Sequence, residues 1–80
     1  MLISYTPKFK EKLGLFPKEI REKFYKQADL LSKNLRHPSL RAKKYDESSD
    51  LWQARVDGSV RFYFFIEKNT YILINIRRHK

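Results

Sequence analysis

The segment that decides the fold runs from Leu51 to Glu67 and reads LWQARVDGSVRFYFFIE. Its two halves, Leu51–Val56 and Val60–Glu67, are rich in aromatic and β-branched residues, which favour β-strands. Between them lies Asp57-Gly58-Ser59, a polar sequence of the kind that closes a hairpin. The segment therefore predicts two antiparallel strands joined by a three-residue loop.

A third strand is predicted over Tyr71–Arg77, after the polar residues Lys68-Asn69-Thr70. A one-residue slip in pairing would turn arginines into the core, so the side-chain pattern selects a register with three residues in each loop. That register pairs Val56 with Val60, Trp52 with Phe64, Ala54 with Phe62, Glu67 with Tyr71, Phe62 with Ile76 and Phe64 with Ile74. The even-numbered positions then form a dry face. The odd-numbered positions gather on the opposite face: Gln53, Arg55, Arg61, Tyr63, Asn75, Arg77 and, if the strand continues, His79.

The N-terminal part of the chain is predicted to form a strand and then a helix. Met1–Tyr5 alternates loosely between apolar and polar residues. Thr6-Pro7 is a capping residue followed by proline, which is typical of the first turn of a helix. We expect this helix to run from Pro7 to Leu13 and to stop at Gly14.

A second helix is predicted to begin at Pro17 and to end at Arg36-His37-Pro38-Ser39, because the residue before a proline is disfavoured in a helix. Leu40–Tyr45 then forms a short candidate strand, and residues 46–50 a polar turn. The helix has apolar residues at helical spacing: Ile20, Phe24, Ala28, Leu31 and Leu35. One face of this helix is therefore predicted to pack and the other to be solvated.

Together these elements predict an α+β fold in which an N-terminal strand precedes a helical hairpin packed on one face of a small antiparallel sheet. Eighty residues are too few to divide into separate cores, so residues 1–80 are expected to form a single domain. The sequence contains no cysteine, and its longest apolar run, Phe62–Ile66, is far too short for a membrane span. We expect a cytoplasmic protein with no membrane partner.

The charge of the chain points to a polyanionic partner. Eighteen Lys and Arg against nine Asp and Glu give a formal net charge of +9. Nucleic acid is the first candidate for such a partner. Charge alone is also compatible with a basic, merely soluble surface.

The candidate chemistry lies on the polar face of the predicted sheet. The sequence has no Gly-rich phosphate loop, no Ser-His-Asp signature and no carboxylates at metal-ligand spacing, so neither a metal nor a cofactor is expected. Clustered guanidinium groups such as Arg55 and Arg61 can hold phosphate oxygens and stabilise charge that develops on phosphorus. An RNA phosphodiester supplies its own nucleophile, the 2′-hydroxyl, so the protein needs only to orient it, stabilise the developing charge and transfer protons. Arginine cannot readily donate a proton at neutral pH. His79 is therefore the candidate for proton transfer.

Each of these residues also has a simpler interpretation. Arg61 lies between apolar strand residues, where an ion pair with Asp57 or Glu67 would explain it. His79 is the penultimate residue of the sequence and can simply be exposed. Tyr63 is a sheet-packing residue by default, although an aromatic side chain in this position can also stack on a base.

The order of elements, with an arginine inside the sheet, resembles the RelE/ParE superfamily of toxins from bacterial toxin–antitoxin systems. The resemblance spans nearly the whole chain. It is carried by five segments: Ile3–Phe9, Leu35–Lys44, Leu51–Val56, Val60–Phe64 and Ile74–His79.

This resemblance implies a metal-independent endoribonuclease that cleaves mRNA, often on the ribosome, through attack of the 2′-hydroxyl on the phosphodiester. It matches Arg61 to the arginine of such toxins and Arg55 to a basic residue of the preceding strand. Arg78 and His79 match basic or histidine groups at the end of the last strand. Gln53 departs from the pattern, because lysine occurs at this place in well-known members.

The combined expectation is a catalytic set and a surrounding RNA-binding set. The catalytic candidates are Arg61, Arg55, His79 and Arg78. The RNA-binding candidates are Lys43, Lys44, Gln53, Arg77, Tyr63 and Arg41. Two alternatives remain open, namely a gyrase-targeting toxin of the ParE branch and a non-catalytic basic RNA-binding module.

The resemblance also implies a cognate antitoxin that holds the toxin inactive, in addition to mRNA and the ribosome as partners. We expect this antitoxin to contribute a short acidic or amphipathic segment. Two edges of the predicted sheet, Met1–Tyr5 and Leu40–Tyr45, and the grooves beside the helical hairpin are the expected docking places.

Overall fold

The computed structural model describes residues 1–79, and Lys80 lies outside them. Two helices lie against a five-stranded sheet in which the strand order is β1-β5-β4-β3-β2. Strand β1 is parallel to β5, and the other neighbours are antiparallel. The predicted α+β fold is confirmed. Its elements are β1 (Leu2–Tyr5), α1 (Pro7–Gly14), α2 (Lys18–Lys33), a 3-10 turn (Pro38–Leu40), β2 (Lys43–Lys44), β3 (Trp52–Arg55), β4 (Val60–Glu67) and β5 (Thr70–Arg78).

Helix α1 begins where its capping residue predicts. The Thr6 Oγ1 accepts a hydrogen bond from the Phe9 N–H at 3.2 Å, which satisfies one of the free donors of the first turn. The Thr6 hydroxyl also donates to the carbonyl oxygen of Leu73 in β5 at 2.9 Å. The helix includes Gly14, one residue beyond the predicted end. The same threonine therefore caps the helix and attaches its start to the sheet.

Helix α2 ends at Lys33, earlier than the predicted end before Pro38. The backbone of Asn34 is extended, with φ −160° and ψ 102°. Its Oδ1 accepts a hydrogen bond from the Arg36 N–H at 3.0 Å, a local bond that competes with a further helical turn. Leu35 consequently lies outside the helix, although its side chain still packs against the core.

The predicted strand Leu40–Tyr45 is reduced to the two residues of β2. Leu40 is fully buried at the end of the 3-10 turn, and Arg41 has a φ of 46°, in the left-handed region. A residue in that conformation cannot continue an extended strand. The turn thus redirects the chain before pairing with β3 begins.

The predicted register of the first hairpin is confirmed. Trp52 lies opposite Phe64 and Ala54 opposite Phe62. The Val56 N–H donates to the carbonyl oxygen of Val60 at 2.8 Å, across the three-residue loop. The pairing places the even-numbered side chains of β3 and β4 against the helices.

The second hairpin differs from the prediction in its loop and in part of its register. Glu67 lies opposite Thr70 rather than Tyr71, because the loop contains two residues and Lys68 adopts a positive φ of 55°. A β-bulge at Tyr63/Phe64 then restores the predicted pairing of Phe62 with Ile76. Between the loop and the bulge, Phe64 faces Leu73 instead of Ile74.

The core is built around aromatic rings from both layers. Phe24 of α2 is fully buried, and its ring centroid lies 5.2 Å from that of Phe9 and 5.4 Å from that of Phe62. Tyr5 of β1 also contacts Phe24, at 6.2 Å between centroids. These tilted and edge-on contacts join β1, both helices and β4.

The two edges of the sheet are β1 and β2, as the sequence predicts. Edge β1 covers only the first part of β5, from Thr70 to Leu73. Within residues 1–79, no helix combines the length and the apolar character that are needed to cross a membrane.

We predict that Phe24→Ala lowers the free energy of unfolding by about 3–5 kcal/mol, because the cavity would sit between the two layers. Leu15→Ala is the control, since the Leu15 side chain is 81% exposed and its loss should cost under about 0.5 kcal/mol. Urea unfolding followed by circular dichroism measures both changes. Equal effects of the two substitutions would contradict the packing described above.

Candidate functional site

Three arginines form a row across the outer face of the sheet. Arg55 of β3 lies directly opposite Arg61 of β4, which in turn lies opposite Arg77 of β5. Side chains that face one another across antiparallel strands are close neighbours, and like charges in such positions destabilise the sheet. The row therefore places three guanidinium groups on one line.

A second, polar row runs beside the arginines. Lys43 pairs with Gln53, Gln53 with Tyr63, and Tyr63 with Asn75. Because the two rows are two residues apart along each strand, they are separated by about 6.8 Å. Most of the predicted polar face is thus confirmed as one continuous surface.

A cavity of about 210 Å³ opens over one end of these two rows. Its charged lining comes from β2, β3, β4 and the segments that flank the sheet. The lining residues are Arg41, Lys43, Gln53, Ala54, Arg55, Arg61 and His79. Six of the ten predicted site residues therefore meet in one cavity.

His79 reaches the cavity because the pairing of β5 with the neighbouring hairpin continues beyond Arg78. The His79 N–H donates to the carbonyl oxygen of Ser59 at 2.6 Å. The backbone of this residue is thereby held, while its side chain remains exposed at the mouth of the cavity.

The backbone of Asp57 holds the two cavity arginines. The Arg61 guanidinium donates to the Asp57 carbonyl oxygen at 2.9 Å, and Arg55 Nε donates to the same oxygen at 3.4 Å. A carbonyl oxygen carries no formal charge, so it orients the guanidinium groups without neutralising them. Within the described residues, the structure therefore shows Arg61 bonded to the Asp57 carbonyl and not in an ion pair with the carboxylate of Asp57 or Glu67.

The side-chain carboxylate of Asp57 has different partners from its backbone carbonyl. Its Oδ1 accepts the backbone N–H groups of Ser59 at 2.8 Å and of Val60 at 2.9 Å, and its Oδ2 lies 3.7 Å from Lys23 Nζ. The hydrogen bond from the Ser59 N–H is the main cause that lowers the pKa of Asp57 below its ordinary value. The loop is thus stabilised by the side chain, while the carbonyl is left for the arginines.

Across residues 1–79, the ion pairs of the structure are Lys18–Glu22, Lys23–Asp57 and Lys33–Asp29, and none involves the arginine row. The cavity therefore carries an uncompensated positive charge from Arg41, Lys43, Arg55 and Arg61. Such an arrangement costs free energy by self-repulsion, which an anionic ligand would remove. Guanidinium groups suit phosphate in particular, because they can donate two parallel hydrogen bonds.

Two predicted residues lie away from this cavity. Arg78 follows Arg77 and so points to the helical face, where its guanidinium lies 5.4 Å from the centre of the Phe16 ring. Lys44 pairs with Trp52, so it occupies a position on the helical face of the sheet. The alternation of side chains along a strand separates each of them from its neighbour on the outer face.

Arg77 and Tyr63 lie on the outer face but outside the lining of the cavity. The Arg77 Nε donates to the Tyr63 hydroxyl at 3.2 Å, and the guanidinium carbon lies 5.1 Å from the Tyr63 ring centre. This hydrogen bond is the main cause that raises the pKa of Arg77. Tyr63 itself is almost fully buried, at 3% exposure.

Gln27 of α2 supports the site from below, and sequence analysis does not identify it. Its Nε2 donates to the carbonyl oxygens of Arg55 at 2.9 Å and Ser39 at 3.1 Å, and its Oε1 accepts from the Ser39 hydroxyl at 2.9 Å. These bonds tie the helix to the strand end that carries Arg55 and to the turn before Arg41. The sequence feature that points to a buried role for Gln27 is its position three residues after Phe24, within the apolar stripe of the helix.

Across the described part of the chain, no group of three or more His, Asp and Glu side chains is arranged to hold a metal ion. The cavity itself presents cationic and imidazole side chains. Its guanidinium and ammonium groups bind anions, and the imidazole of His79 can carry a proton at its rim.

Comparison with solved structures gives the class of fold. The chain superposes on the YoeB/ParE toxin from Agrobacterium tumefaciens with a TM-score of 0.83 and 13% identity, over 100% of both chains. A chain of the RelE-RelB complex from Pyrococcus horikoshii OT3 gives a TM-score of 0.80 at 16% identity, over 96% of this chain and 92% of that one.

A chain of the RelBE2 toxin-antitoxin complex from Mycobacterium tuberculosis also matches, with a TM-score of 0.80 and 20% identity over 98% and 90% of the two chains. No protein-family model and no curated protein sequence matches the chain. The chain therefore has the RelE/ParE-like toxin fold, and the structural resemblance inferred from the sequence is confirmed.

We predict that Gln27→Met lowers the free energy of unfolding by about 1–3 kcal/mol, because the Arg55 carbonyl would lose its buried donor. Methionine has a similar volume, so the change removes the hydrogen bonds rather than the packing. Lys26→Met on the exposed side of the same helix is the control and should change stability by less than about 0.5 kcal/mol. Denaturant unfolding that gives the same midpoint for both variants would contradict this role of Gln27.

A second prediction concerns the pH dependence of stability. Because the folded state lowers the pKa of Asp57, its carboxylate stabilises the protein above the ordinary value of 3.8, and this contribution is lost as the pH falls through the lower folded value. Asp57→Asn should therefore reduce the free energy of unfolding more at pH 7 than at pH 3.

Lys23→Met separates the causes of the Asp57 shift, because it removes the ion-pair partner and leaves the hydrogen bonds of the loop intact. It should reproduce only a small part of the pH-dependent loss. Thermal unfolding at both pH values measures these effects. A loss for Asp57→Asn that is the same at pH 7 and pH 3 would refute the prediction.

Proposed function

We propose that this protein is the toxin of a type II toxin–antitoxin system and acts as a metal-independent endoribonuclease that cleaves mRNA in association with the ribosome. The observation that carries the proposal is the cavity in which Arg55 and Arg61 converge without a carboxylate partner among the described residues. The likeness to RelE and YoeB toxins in fold supports it. In this proposal residues 1–80 act as one toxin domain.

The arginines of the cavity would bind and polarise the scissile phosphate. Attack of the 2′-oxygen on phosphorus places additional negative charge on the two non-bridging oxygens, and Arg61 and Arg55 stabilise that charge as it develops. Because the Asp57 carbonyl already orients both guanidinium groups, little reorganisation is needed when the substrate binds. Arg41, Lys43 and Gln53 would hold the adjacent sugar–phosphate backbone.

His79 would donate the proton to the leaving 5′-oxygen. The bond between phosphorus and the 2′-oxygen forms as the bond to the 5′-oxygen breaks, and the proton of the 2′-hydroxyl passes to solvent. The products are a 2′,3′-cyclic phosphate and a free 5′-hydroxyl. His79 suits the donor role because its backbone is held by Ser59 while its imidazole remains free at the cavity mouth.

We assign no catalytic role to Arg78 and no phosphate contact to Lys44 in this proposal, because neither residue lines the cavity. Arg78 lies over Phe16 on the helical face, and Lys44 has the inward parity of β2. We therefore restrict the proposed catalytic set to Arg61, Arg55 and His79.

We further propose that a cognate antitoxin with a short acidic or amphipathic segment holds the toxin inactive. The structures of similar fold include a RelE-RelB complex and a YoeB-YefM complex from Staphylococcus aureus. The net charge of +9 would steer an acidic segment toward this chain. A groove of about 330 Å³ beside the helices is lined by Leu15, Phe16 and Arg78 among others, and it suits such a segment.

We predict that Arg61→Ala reduces the rate of mRNA cleavage by about 10²–10³-fold, as expected for the loss of a donor that stabilises transition-state charge. Arg61→Lys should recover only part of the rate, because an ammonium group cannot donate two parallel hydrogen bonds. Arg36→Ala removes the same charge from an exposed loop and serves as the control.

The cleavage assay for Arg61 uses purified protein with ribosomes and mRNA in the presence of EDTA. Retention of wild-type cleavage within a few-fold by a folded Arg61→Ala protein would overturn the assignment. RNA binding without any cleavage by the wild type would favour the non-catalytic RNA-binding module.

The proton-transfer role of His79 predicts a change in the pH–rate profile. His79→Gln should abolish the alkaline limb of the profile, which a general acid at this position would produce. His37→Gln is the matched control, since His37 caps the 3-10 turn and does not line the cavity, and it should leave the limb in place. An unchanged profile for His79→Gln would transfer the proton-donor role to Lys43.

A further inference from the structure

The outer face of the sheet changes character with distance from the arginine row. Beyond the polar row lie apolar side chains of outward parity, among them Tyr45, which is 51% exposed, and Phe65, which is 37% exposed. The Tyr45 N–H donates to the carbonyl oxygen of Leu51 at 2.8 Å, which extends the β2–β3 pairing to this tyrosine. The face therefore passes from cationic through polar to aromatic.

A shallow pocket of about 140 Å³ lies where the polar and aromatic parts meet. Tyr45 and Tyr63 are arranged edge to face, with their ring centroids 5.5 Å apart and an interplanar angle of 86°. The planar guanidinium of Arg77 lies over the Tyr63 ring, 5.1 Å from its centre, and the Tyr45 hydroxyl, besides that of Tyr63, contributes to the raised pKa of Arg77. The pocket is lined by Tyr45, Leu51, Tyr63, Ile74, Asn75 and Arg77.

We propose that this pocket binds a nucleobase of the RNA strand whose phosphate occupies the arginine cavity. The proposal rests on the proposed ribonuclease function and adds a base-binding subsite to it. Tyr45 supplies an exposed ring on which a base can stack, and Arg77 supplies a second planar surface beside it. The position fits a nucleotide near the scissile phosphate, because Arg77 belongs both to the arginine row and to the lining of this pocket.

Asn75 adds hydrogen-bonding capacity at the floor of the pocket. Among residues 1–79, the Asn75 side chain makes its hydrogen bonds through Oδ1, which accepts from Lys12 Nζ at 2.7 Å and from the Ile76 N–H at 3.0 Å. Its Nδ2 hydrogens remain as donors for the acceptor atoms of a base edge. The pocket thus combines stacking surfaces with a polar contact.

The surrounding charges favour a base over a phosphate or an acidic peptide in this pocket. The turn that follows Tyr45 carries Asp46, Glu47 and Asp50. The Asp46 Oδ1 accepts hydrogen bonds from the Ser48 N–H and hydroxyl, and the N–H bond is the main cause that lowers the pKa of Asp46, so this carboxyl is ionised at neutral pH. These carboxylates repel anionic groups at the aromatic end, whereas the arginine row attracts them at the other end.

The experiment compares two RNA oligonucleotides of equal length and charge, one with all its bases and one abasic, both carrying 2′-O-methyl groups that prevent cleavage. Fluorescence anisotropy measures their binding to the wild type and to three variants. We expect the wild type to bind the base-bearing strand at least about fivefold more tightly than the abasic strand.

The variants identify which ring is responsible. Tyr45→Leu should abolish this preference and Tyr45→Phe should retain it, because phenylalanine keeps the aromatic ring. Tyr25→Leu, which removes an equally exposed tyrosine from the helical side, should leave the preference unchanged.

The outcomes separate this proposal from the proposed function. Equal binding of both strands by the wild type would overturn the base pocket, even if mRNA is cleaved. A base preference that depends on Tyr45 in a protein without nuclease activity would support the pocket and refute the ribonuclease. A Tyr45→Leu protein that keeps the base preference but no longer binds a co-expressed antitoxin would show that this face binds protein instead, and would overturn the proposal.

Discussion

The alternation of side chains along β4 is the constraint on which the rest of the structure depends. Its inward residues Phe62 and Phe64 are fully buried beneath the helices, while Arg61 and Tyr63 belong to the outer face. Because β4 lies between β3 and β5, one register aligns the core and the arginine row at the same time. Burial of the aromatic residues thereby supplies the free energy that holds mutually repelling guanidinium groups together.

Two sets of hydrogen bonds, made by Asp57 and Gln27, connect the packed core to the arginine cavity. The Asp57 loop uses its carboxylate to stabilise the hairpin turn and its carbonyl to orient Arg55 and Arg61. Gln27 connects the helical layer to the end of β3 and to the turn before Arg41. Arg55 and Arg61 are therefore carried by strands and oriented by hydrogen bonds, which favours binding and catalysis in which charge must be met at a fixed position.

Much of the fold and most of the cavity lining could be predicted from the sequence. Strand alternation predicts that Gln53, Arg55, Arg61 and, if the last strand continues, His79 share a face. The prediction fails where local backbone geometry intervenes. The two-residue loop at Lys68 and the compensating bulge change the facing residue of Phe64 from Ile74 to Leu73, and neither feature has a distinctive residue pattern.

The sequence by itself determined the α+β class, the first hairpin with its register, the positive charge and the identity of the outward-facing arginines. These features follow from side-chain periodicity and composition, which are local properties of the chain. Only the tertiary structure decided that the side chains of Arg41, Lys43, Gln53, Arg55, Arg61 and His79 line one cavity, and that Gln27 and the Asp57 carbonyl support it. Those outcomes depend on the left-handed conformation of Arg41 and on contacts between distant segments, which form only when the helices and the sheet pack together.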